Sequence, residues 1–333
     1  SLSKTGIKLV DNIIENWELN YTELFGDFLS YEDAIKHGRA KFITFHQSYS
    51  YEEFIEGIRP KIDSDELKYS IEKGIFKEIS DNAKNYPNNN YVIIIDEINR
   101  GNISKIFGEL ITLIESKKRL FTDNGEQPNH VTLPYSKKSF GVPKNLFILG
   151  TMNTADKSIA LIDSALRRRF VFEEMLPNSE VLIKENIDIK GVDIKLLFEK
   201  INARIEYLID KDKTIGHSYF LKLKGSKSLK NLALLFKNEI IPLLMEYFYN
   251  DYDKVRLVLG DNNEWKPKDK NKFFEKISES QKNLFGDDEA IDGYEDKVLF
   301  KISNLFDTDE RGQIIASDND LINLFKSVYT KED

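Results

Sequence analysis

Two adjacent carboxylates follow an apolar stretch of the chain. Asp96 and Glu97 come directly after Ile93–Ile95, and a continuous apolar run is typical of a parallel strand buried on both faces. Ligands bind at the carboxyl ends of parallel strands. There the first carboxylate could hold Mg²⁺, and the second could act as general base on a water that attacks a phosphoryl group. The alternative is that Asp96 only caps the next helix, because Asp is a favoured N-cap residue.

A second polar segment, Gly150–Asp156, follows the apolar stretch Leu146–Leu149. If both apolar stretches are strands of one parallel sheet, Asn153 would lie beside Asp96 and Glu97. Its amide could then position a water against a γ-phosphate. The alternative is an ordinary turn, because Asn, Thr and Asp favour turns.

Three consecutive arginines, Arg167–Arg169, precede the apolar Phe170–Phe172. Their guanidinium groups could neutralise phosphate charge, within the chain or across a subunit boundary. Taken alone, the triplet is explained better as the solvated basic end of a helix. The three signals together agree in order and in their setting at strand ends, so they favour nucleotide chemistry more than any one of them does.

The elements that must position these residues alternate between helix and strand. Apolar runs predict strands at Lys41–His46, Tyr91–Ile95, Leu146–Gly150 and Phe170–Phe172. Apolar residues three or four apart between Ile7 and Trp17 indicate that the first 40 residues are helical, and helical periodicity resumes over 103–114. Asp123–Gly125 predicts a hairpin-like turn within Phe121–Val142. The alternation predicts an α/β domain, and after Pro177 the pattern is mostly helical.

Composition narrows the class of protein. The 333 residues include 56 acidic and 48 basic side chains, and the net charge of −8 argues against a chain that coats nucleic acid unaided. No apolar run approaches the roughly 18 residues of a membrane span, and the first residues lack a signal-peptide pattern. Without cysteine there is no disulfide or thiolate zinc site, and the four histidines show no metal-ligand spacing. We therefore expect a soluble, cytoplasmic protein.

Five blocks of the sequence together resemble the AAA+ domain of McrB, the GTP-hydrolysing motor subunit of modification-dependent restriction systems. In the order of that family, these blocks are Phe45–Ile55, Ile94–Lys105, Met152–Asp156, Ala165–Phe170 and Ile215–Phe220. The resemblance covers about residues 40–260. Five matched blocks are far more specific than a single motif.

The resemblance implies an α/β fold with an AAA+ P-loop NTPase-type parallel sheet flanked by helices, followed by a mostly helical lid. On this interpretation the AAA+ core spans 1–178, the lid spans 179–265, and 266–333 forms a C-terminal helical extension of unknown role. The resemblance further implies a homo-oligomeric ring and a McrC-like endonuclease partner. DNA would be bound mainly through a separate domain that this chain does not contain, and no membrane would be involved.

The resemblance also implies roles for individual residues. Asp96 would be the Walker B magnesium ligand and Glu97 the catalytic base. Asn153 would be the sensor that aligns the attacking water, and Asp156 would contribute to nucleotide binding from the same block. The substrate would be GTP or ATP together with Mg²⁺. A preference for GTP would rest on the family resemblance alone.

Basic residues have implied roles as well. Arg168 or Arg169 would act as a finger on the neighbouring subunit's nucleotide. Lys157 stands where McrB tends to carry arginine, which keeps the charge but loses the planar fork. His217 could lie near the nucleotide from the lid, although a histidine of the core is the more common arrangement.

A phosphate-binding loop of the pattern Gly-x-x-x-x-Gly-Lys-Ser/Thr does not occur in the 333 residues. Lys4 and Thr5 resemble the end of this motif and are candidate nucleotide-binding residues, but Ser3 stands where the last glycine belongs. Without this loop no nest of backbone N–H groups would cradle the phosphates. We therefore expect poor nucleotide affinity from this chain, as a fragment of a motor or as a natural degenerate copy.

Two other functions are compatible with the sequence. A non-catalytic interaction module would keep the fold and the subunit contacts without turnover. The missing Gly-rich loop favours that function, whereas the retention of Asp96, Glu97, Asn153 and the arginines counts against it. A generic AAA+ ATPase of the MoxR or dynein-related branch would share the paired carboxylates but would not predict the block Met152–Asp156.

Overall fold

The structure, a computed structural model, describes residues 31–63, 66–121, 129–153, 167, 169–172, 174–262, 271–277 and 298–330. The chain divides into two compact units, 1–173 and 174–333. Each unit has its own hydrophobic core. Of the first 40 residues, which are predicted to be helical, 1–30 lie outside the described residues and Tyr31–Lys36 form a helix.

The first unit combines short helices with several strands. Among its described residues the helices are α1 (Tyr31–Lys36), α2 (Tyr51–Phe54), α3 (Ile75–Asn85) and α4 (Ile103–Phe107). The strands are β1 (Ala40–Thr44), β2 (Glu56–Asp63), β3 (Glu66–Lys73), β4 (Tyr91–Asp96), β5 (Val131–Thr132), β6 (Ser139–Phe140) and β7 (Leu146–Gly150). Single turns of 3₁₀-helix cover Ile98–Arg100, Gly108–Thr112 and Ser116–Lys118.

A parallel sheet in the order β1-β4-β7 lies at the centre of this unit. Because β4 is paired on both sides, Ile93–Ile95 are almost completely buried. The register sets Asp96 opposite Thr44 and Ile95 opposite Gly150. The predicted strands at 41–46, 91–95 and 146–150 are confirmed, and so is the α/β class of the domain.

A cluster of phenylalanines packs the helices of the first unit together. The ring of Phe54 in α2 lies 4.9 Å from the rings of Phe76 in α3 and Phe107 in α4. All three side chains are fully buried. Aromatic rings bury large apolar areas, so this cluster is a main source of packing energy in the unit.

The helix predicted over 103–114 is interrupted at Gly108. There φ is +52°, and the chain continues as 3₁₀-helix rather than α-helix. A side chain at this position would also lie only 3.1 Å from the ring of Tyr51. Glycine is therefore required for both the left-handed backbone and the close approach.

An antiparallel hairpin of β2 and β3 occupies a segment for which no strand is predicted. Its register pairs Ile58 with Ile71 and Pro60 with Tyr69. These pairs share one face of the ribbon, and the side chains of Ile58 and Tyr69 are 53% and 69% exposed. The period-two alternation is visible in the sequence, but Pro60 disguises it because proline is excluded from central strands and tolerated at edges.

A smaller hairpin, β5–β6, has its turn at 133–138. Leu133 N–H donates to Lys138 O at 2.9 Å, and Lys137 adopts a left-handed φ of +56°. The predicted turn at Asp123–Gly125 lies outside the described residues. The strand predicted at Phe170–Phe172 is wrong: these residues form no strand, and Val171 is 95% exposed. A strand needs a neighbouring backbone with which to pair, and its apolar sequence alone cannot supply one.

A buried ion pair ties β2 to α3 and to the β5–β6 turn. The Glu56 carboxylate, fully buried, accepts hydrogen bonds from the Lys77 ammonium and from the N–H groups of Tyr135 and Ser136. Burial by itself would raise the pKa of Glu56, but the hydrogen bonds from Lys77 and Ser136 lower it below its usual value. The carboxylate therefore stays charged and holds three elements together.

The second unit is mostly helical, as predicted for the lid. Its described helices are α5 (Glu180–Lys184), α6 (Ile194–Leu208), α7 (Ser218–Leu221), α8 (Leu229–Leu235), α9 (Ile241–Tyr247), α10 (Tyr252–Val258) and α11 (Asp318–Tyr329). A π-helical turn, Phe236–Ile240, joins α8 to α9, and 3₁₀ turns cover Lys211–Lys213, Lys222–Gly225 and Asn304–Phe306. Strands β8 (Phe274–Ile277) and β9 (Leu299–Ile302) pair antiparallel.

The described part of the C-terminal tail packs into the lid core. The ring of Phe236 lies 4.9 Å from Phe325 in α11 and 5.9 Å from Phe273, and all three are fully buried. The tail, for which a helical extension is predicted, also contains the β8–β9 pair. The described parts of the tail, 271–277 and 298–330, therefore contribute to the core of the second unit.

His217 lies at the start of α7 and is half-buried. Its Nδ1 accepts a hydrogen bond from the N–H of Asn178 at 3.2 Å. The preceding loop is fixed by Asn202, whose amide donates to Ile215 O at 3.0 Å and accepts from Ile215 N–H at 2.6 Å. Burial lowers the pKa of His217 below its ordinary value of 6.5, so the folded chain favours the neutral imidazole.

Replacing Lys77 by Met should lower the free energy of unfolding by about 3 kcal/mol, because Glu56 is left as a buried charge without its cation. Urea denaturation measures the change. Lys41→Met is the matched control, since Lys41 forms a partly exposed pair with Glu78 at 3.4 Å and should cost less than about 1 kcal/mol. Equal losses in the two variants would contradict the role assigned to Glu56.

Acid should destabilise the chain through His217. Its lowered pKa adds stability above the unfolded-state value of about 6.5, and this stability is lost as the pH falls through the lower folded-state pKa. His217→Asn keeps an acceptor that does not titrate in this range. Urea denaturation at about pH 7.5 and about pH 5.5 measures the free energy of unfolding at each pH. Between the two values this free energy should fall less in the variant than in the wild type. His46→Asn, at an exposed position, is the control; a loss undiminished in His217→Asn would refute the prediction.

Candidate active site

The ends of β4 and β7 meet at one edge of the sheet. Thr151 N–H donates to Ile95 O at 3.0 Å, and Ile98 N–H donates to Thr151 O at 2.9 Å. These bonds continue the β4–β7 pairing beyond the last paired residues, Ile95 and Gly150. The loop after one strand is therefore held directly against the loop after the other.

The Asp96 carboxylate lies at this edge and is partly buried. The hydroxyl of Thr151 donates to Asp96 Oδ1 at 2.6 Å. The backbone carbonyl of Asp96 accepts from Phe45 N–H at 2.9 Å, which anchors the strand end to the segment after β1. Among the residues that the structure describes, Thr151 makes the only hydrogen bond to this carboxylate.

Glu97 follows in a left-handed backbone conformation, with φ 54° and ψ 43°. Such a conformation is uncommon for a residue other than glycine, and strained positions of this kind cluster at functional sites. The Glu97 N–H donates to Thr151 Oγ1 at 3.3 Å. The carboxylate is paired with Arg100, whose Nε lies 3.2 Å from Glu97 Oε2. The Glu97 carboxylate is therefore carried by the turn directly after Asp96 and is restrained by an ion pair with Arg100.

Asn153 lies three residues beyond β7 and is exposed. Its backbone carbonyl accepts a long hydrogen bond of 3.5 Å from the side-chain amide of Asn99. Met152, between Thr151 and Asn153, packs against the core of the first unit. The structure thus brings the segment around Asn153 to the turn that carries Glu97.

Of the three arginines, Arg169 forms an ion pair within its own unit. Its Nε lies 3.0 Å from Glu115 Oε1, and its side chain is 6% exposed. Arg167 lies over the ring of Phe172, 5.5 Å from its centroid. Five other residues singled out by the sequence lie outside the described residues: Lys4, Thr5, Asp156, Lys157 and Arg168. His217 belongs to the second unit.

Asp96 and Glu97 fit a magnesium–nucleotide site by the chemistry of their donor atoms. Mg²⁺ prefers carboxylate oxygens and is usually bound by one or two carboxylates together with substrate phosphates and water. Asp96 offers a carboxylate with one oxygen engaged by Thr151, and Glu97 lies next to it. In the part of the chain that the structure describes, no group of three or more His, Cys, Asp and Glu residues could hold a metal ion.

Two residues of this site carry contacts that sequence reasoning did not assign. Thr151 bonds both carboxylate-bearing residues, and Arg100 pairs with Glu97. The signal for Thr151 is its place directly after β7, level with Asp96 in the neighbouring strand. The signal for Arg100 is its spacing of three from Glu97, which places the two side chains on one side of a helical turn.

No helix among the described residues is long and apolar enough to span a membrane. This agrees with the hydropathy of the sequence, which contains no long apolar run.

Two family models match the chain. The model described as AAA domain (dynein-related subfamily) matches residues 29–170, and the model described as McrB, alpha-helical lid domain, matches residues 193–256. The first match contains the β1-β4-β7 sheet, and the second contains α6 to most of α10.

Two curated relatives are restriction-enzyme components. The chain is 39% identical over 246 residues to the Type IV methyl-directed restriction enzyme EcoKMcrB subunit of Escherichia coli K12, covering 67% of this chain and 51% of that protein. It is 27% identical over 245 residues to the Type II restriction enzyme BsuMI component YdiS of Bacillus subtilis 168, covering 61% of this chain and 68% of that protein. The chain therefore spans about half the length of the E. coli relative.

A solved structure from Cytophaga hutchinsonii covers 60% of this chain and 61% of its own length, at 14% identity and a TM-score of 0.29. At that score it carries no argument. The other comparisons agree with the structure: an AAA domain with a parallel sheet precedes a helical lid of the McrB type, and the identity to a McrB subunit extends over two thirds of the chain. The chain is therefore McrB-like, with an AAA domain followed by a helical lid of the McrB type.

Proposed function

We propose that the protein containing this chain is a nucleoside triphosphatase motor of a McrB-like restriction system. The observation that carries the proposal is the joining of the β4 and β7 ends, where Thr151 bonds Asp96 and Asn99 bonds Asn153. A nucleotide hydrolase needs a metal-binding carboxylate, a base and a group that orients the water within one site. Residues of all three types lie at this edge.

Asp96 would hold Mg²⁺ together with the phosphates of the nucleotide, and the bound metal would neutralise charge on those phosphates. Its Oδ1 accepts the Thr151 hydroxyl proton at 2.6 Å. The other oxygen, Oδ2, is then the one left for the metal or its water, because an ionised carboxylate offers acceptors on both oxygens.

Glu97 would act as the general base that takes a proton from the attacking water. Arg100 engages Oε2 of its carboxylate, so Oε1 would receive the proton. The ion pair is partly exposed and adds little to stability. Its main effect is to orient the carboxylate.

Asn153 would align the same water, and an arginine from a neighbouring subunit would stabilise charge that develops on the transferred phosphoryl group. Arg169 is already paired with Glu115 inside its own unit. We therefore assign the proposed finger to Arg168, and Asp156 and His217 keep their proposed nucleotide-binding roles. A finger from a neighbour requires the proposed homo-oligomeric ring.

Partners and substrate follow from the relatives. Both are components of restriction enzymes, and the name of one describes a methyl-directed enzyme. We propose that the whole protein works with a McrC-like endonuclease on DNA, that DNA is bound mainly outside this chain, and that GTP or ATP is hydrolysed. Such a motor would act in the cytoplasm, where nucleotide and DNA are present.

The 333 residues on their own would bind nucleotide weakly. They contain no Gly-x-x-x-x-Gly-Lys-Ser/Thr, so no loop of that kind supplies backbone N–H groups to the phosphates. Lys4 and Thr5 would then contribute little. The same observation favours a second candidate function, an AAA-type interaction module that does not turn over nucleotide.

Glu97→Gln in the product of the full open reading frame should lower kcat for nucleotide hydrolysis roughly 10²–10⁴-fold while nucleotide still binds, because only the proton acceptor is lost. Phosphate release and equilibrium binding measure the two quantities separately. The control is Glu78→Gln, at an exposed carboxylate on α3, which should leave kcat unchanged. Unchanged hydrolysis in Glu97→Gln would exclude this residue as the base.

Calorimetry with GTP and with ATP, each with Mg²⁺, should detect binding to the product of the full open reading frame and weaker or no binding to residues 1–333 alone. The nucleotide that binds the longer protein defines the substrate. Tight Mg²⁺-dependent binding by residues 1–333 would contradict the weak affinity proposed for them. If neither protein binds nucleotide, the motor function is excluded and the interaction module becomes the proposed function.

A further inference from the structure

Thr151 makes four hydrogen bonds that join the ends of β4 and β7. Its backbone N–H donates to Ile95 O at 3.0 Å, and its carbonyl accepts from Ile98 N–H at 2.9 Å. Its hydroxyl donates to Asp96 Oδ1 at 2.6 Å and accepts from Glu97 N–H at 3.3 Å. One residue thus contacts the backbone on both sides of the paired carboxylates and one of the carboxylates itself.

We propose that Thr151 is a positioning residue of the nucleotide-hydrolysing site. Its hydroxyl orients the carboxylate of Asp96 toward the metal and holds the backbone turn that presents Glu97. This inference rests on the proposed function, and it assigns to that site a residue that acts through two others.

The Thr151 hydroxyl carries a single proton. A threonine hydroxyl donates one hydrogen bond and accepts others, whereas an ionised carboxylate only accepts. With the proton directed to Asp96 Oδ1, the lone pairs remain for the N–H of Glu97. The hydroxyl is therefore fixed in one orientation, and it holds the carboxylate of Asp96 in one rotamer.

The Thr151 hydroxyl also supports the backbone of Glu97. Its left-handed conformation, with φ 54°, persists only where surrounding contacts hold it. The N–H of Glu97 bonds the Thr151 hydroxyl, and the next N–H, of Ile98, bonds the Thr151 carbonyl. The hydroxyl thus supports the first residue of the turn, while the main chain supports the second.

These two kinds of contact can be separated by mutation. The backbone bonds of Thr151 to Ile95 and Ile98 do not depend on its side chain. Thr151→Val keeps the β-branched shape and removes only the hydroxyl. Thr151→Ser keeps the hydroxyl and removes only the methyl group, so the pair isolates the contribution of the hydrogen bonds.

The test uses the product of the full open reading frame. Mn²⁺ is titrated by electron paramagnetic resonance in the presence of a non-hydrolysable analogue of whichever nucleotide the wild type binds. Groups that orient metal ligands through hydrogen bonds usually contribute 10–100-fold to metal affinity. We expect Thr151→Val to weaken Mn²⁺ binding by that factor and to raise the Mg²⁺ concentration needed for half-maximal hydrolysis. Thr151→Ser should stay within about threefold of the wild type.

Thermal unfolding of each variant shows whether it is folded, and Thr151→Ala replaces Thr151→Val if the valine is not accommodated. Mn²⁺ affinity within about threefold of the wild type in the hydroxyl-free variant would overturn the proposal. So would equal losses in the serine and valine variants, since these would indicate a packing role alone. Failure of the proposed function has a different signature: the wild type itself would bind no nucleotide.

Discussion

The parallel pairing of β4 between β1 and β7 is the constraint on which the site depends. Ile93–Ile95 of this central strand are almost completely buried, and the pairing fixes a register in which Asp96 and Gly150 end at the same edge. Parallel strands bring their carboxyl ends together, so residues far apart in sequence meet there. At this edge the Thr151 hydroxyl, which follows β7, donates a hydrogen bond of 2.6 Å to the Asp96 carboxylate at the end of β4. A slip in register would separate the two loops.

Buried contacts surround the sheet, whereas the loops at this edge are partly exposed. The fully buried rings of Phe54, Phe76 and Phe107 pack the helices beside the strands. The Glu56–Lys77 pair joins three elements in the interior of the same unit. By contrast, the Glu97–Arg100 pair is partly exposed and its backbone is strained. Stability is thus concentrated away from the groups to which chemistry is assigned, a division common in enzymes.

The sequence predicts the central strands and the adjacency of the carboxylates to the 151–153 segment, because long apolar runs followed by polar residues have few alternative structures. It does not predict the β2–β3 ribbon, whose alternation is interrupted by Pro60 and whose apolar face is exposed. It wrongly predicts a strand at Phe170–Phe172, where apolar composition is not matched by a pairing partner. The contacts of Thr151 with Asp96 and of Arg169 with Glu115 depend on tertiary distances, which residue spacing cannot supply, whereas the Glu97–Arg100 pair is local. The roles of Asn153 and the arginines stay predictions from family resemblance.

The central claim is that nucleotide is hydrolysed at the β4–β7 edge. The most direct measurement is a structure of the full open reading frame product with Mg²⁺ and a nucleoside diphosphate–aluminium fluoride complex. We expect the fluoride group at this edge, Asp96 on the metal or its water, and the Glu97 carboxylate about 3 Å from the in-line water. Nucleotide bound elsewhere, or phosphates directed away from Asp96 and Glu97, would contradict it.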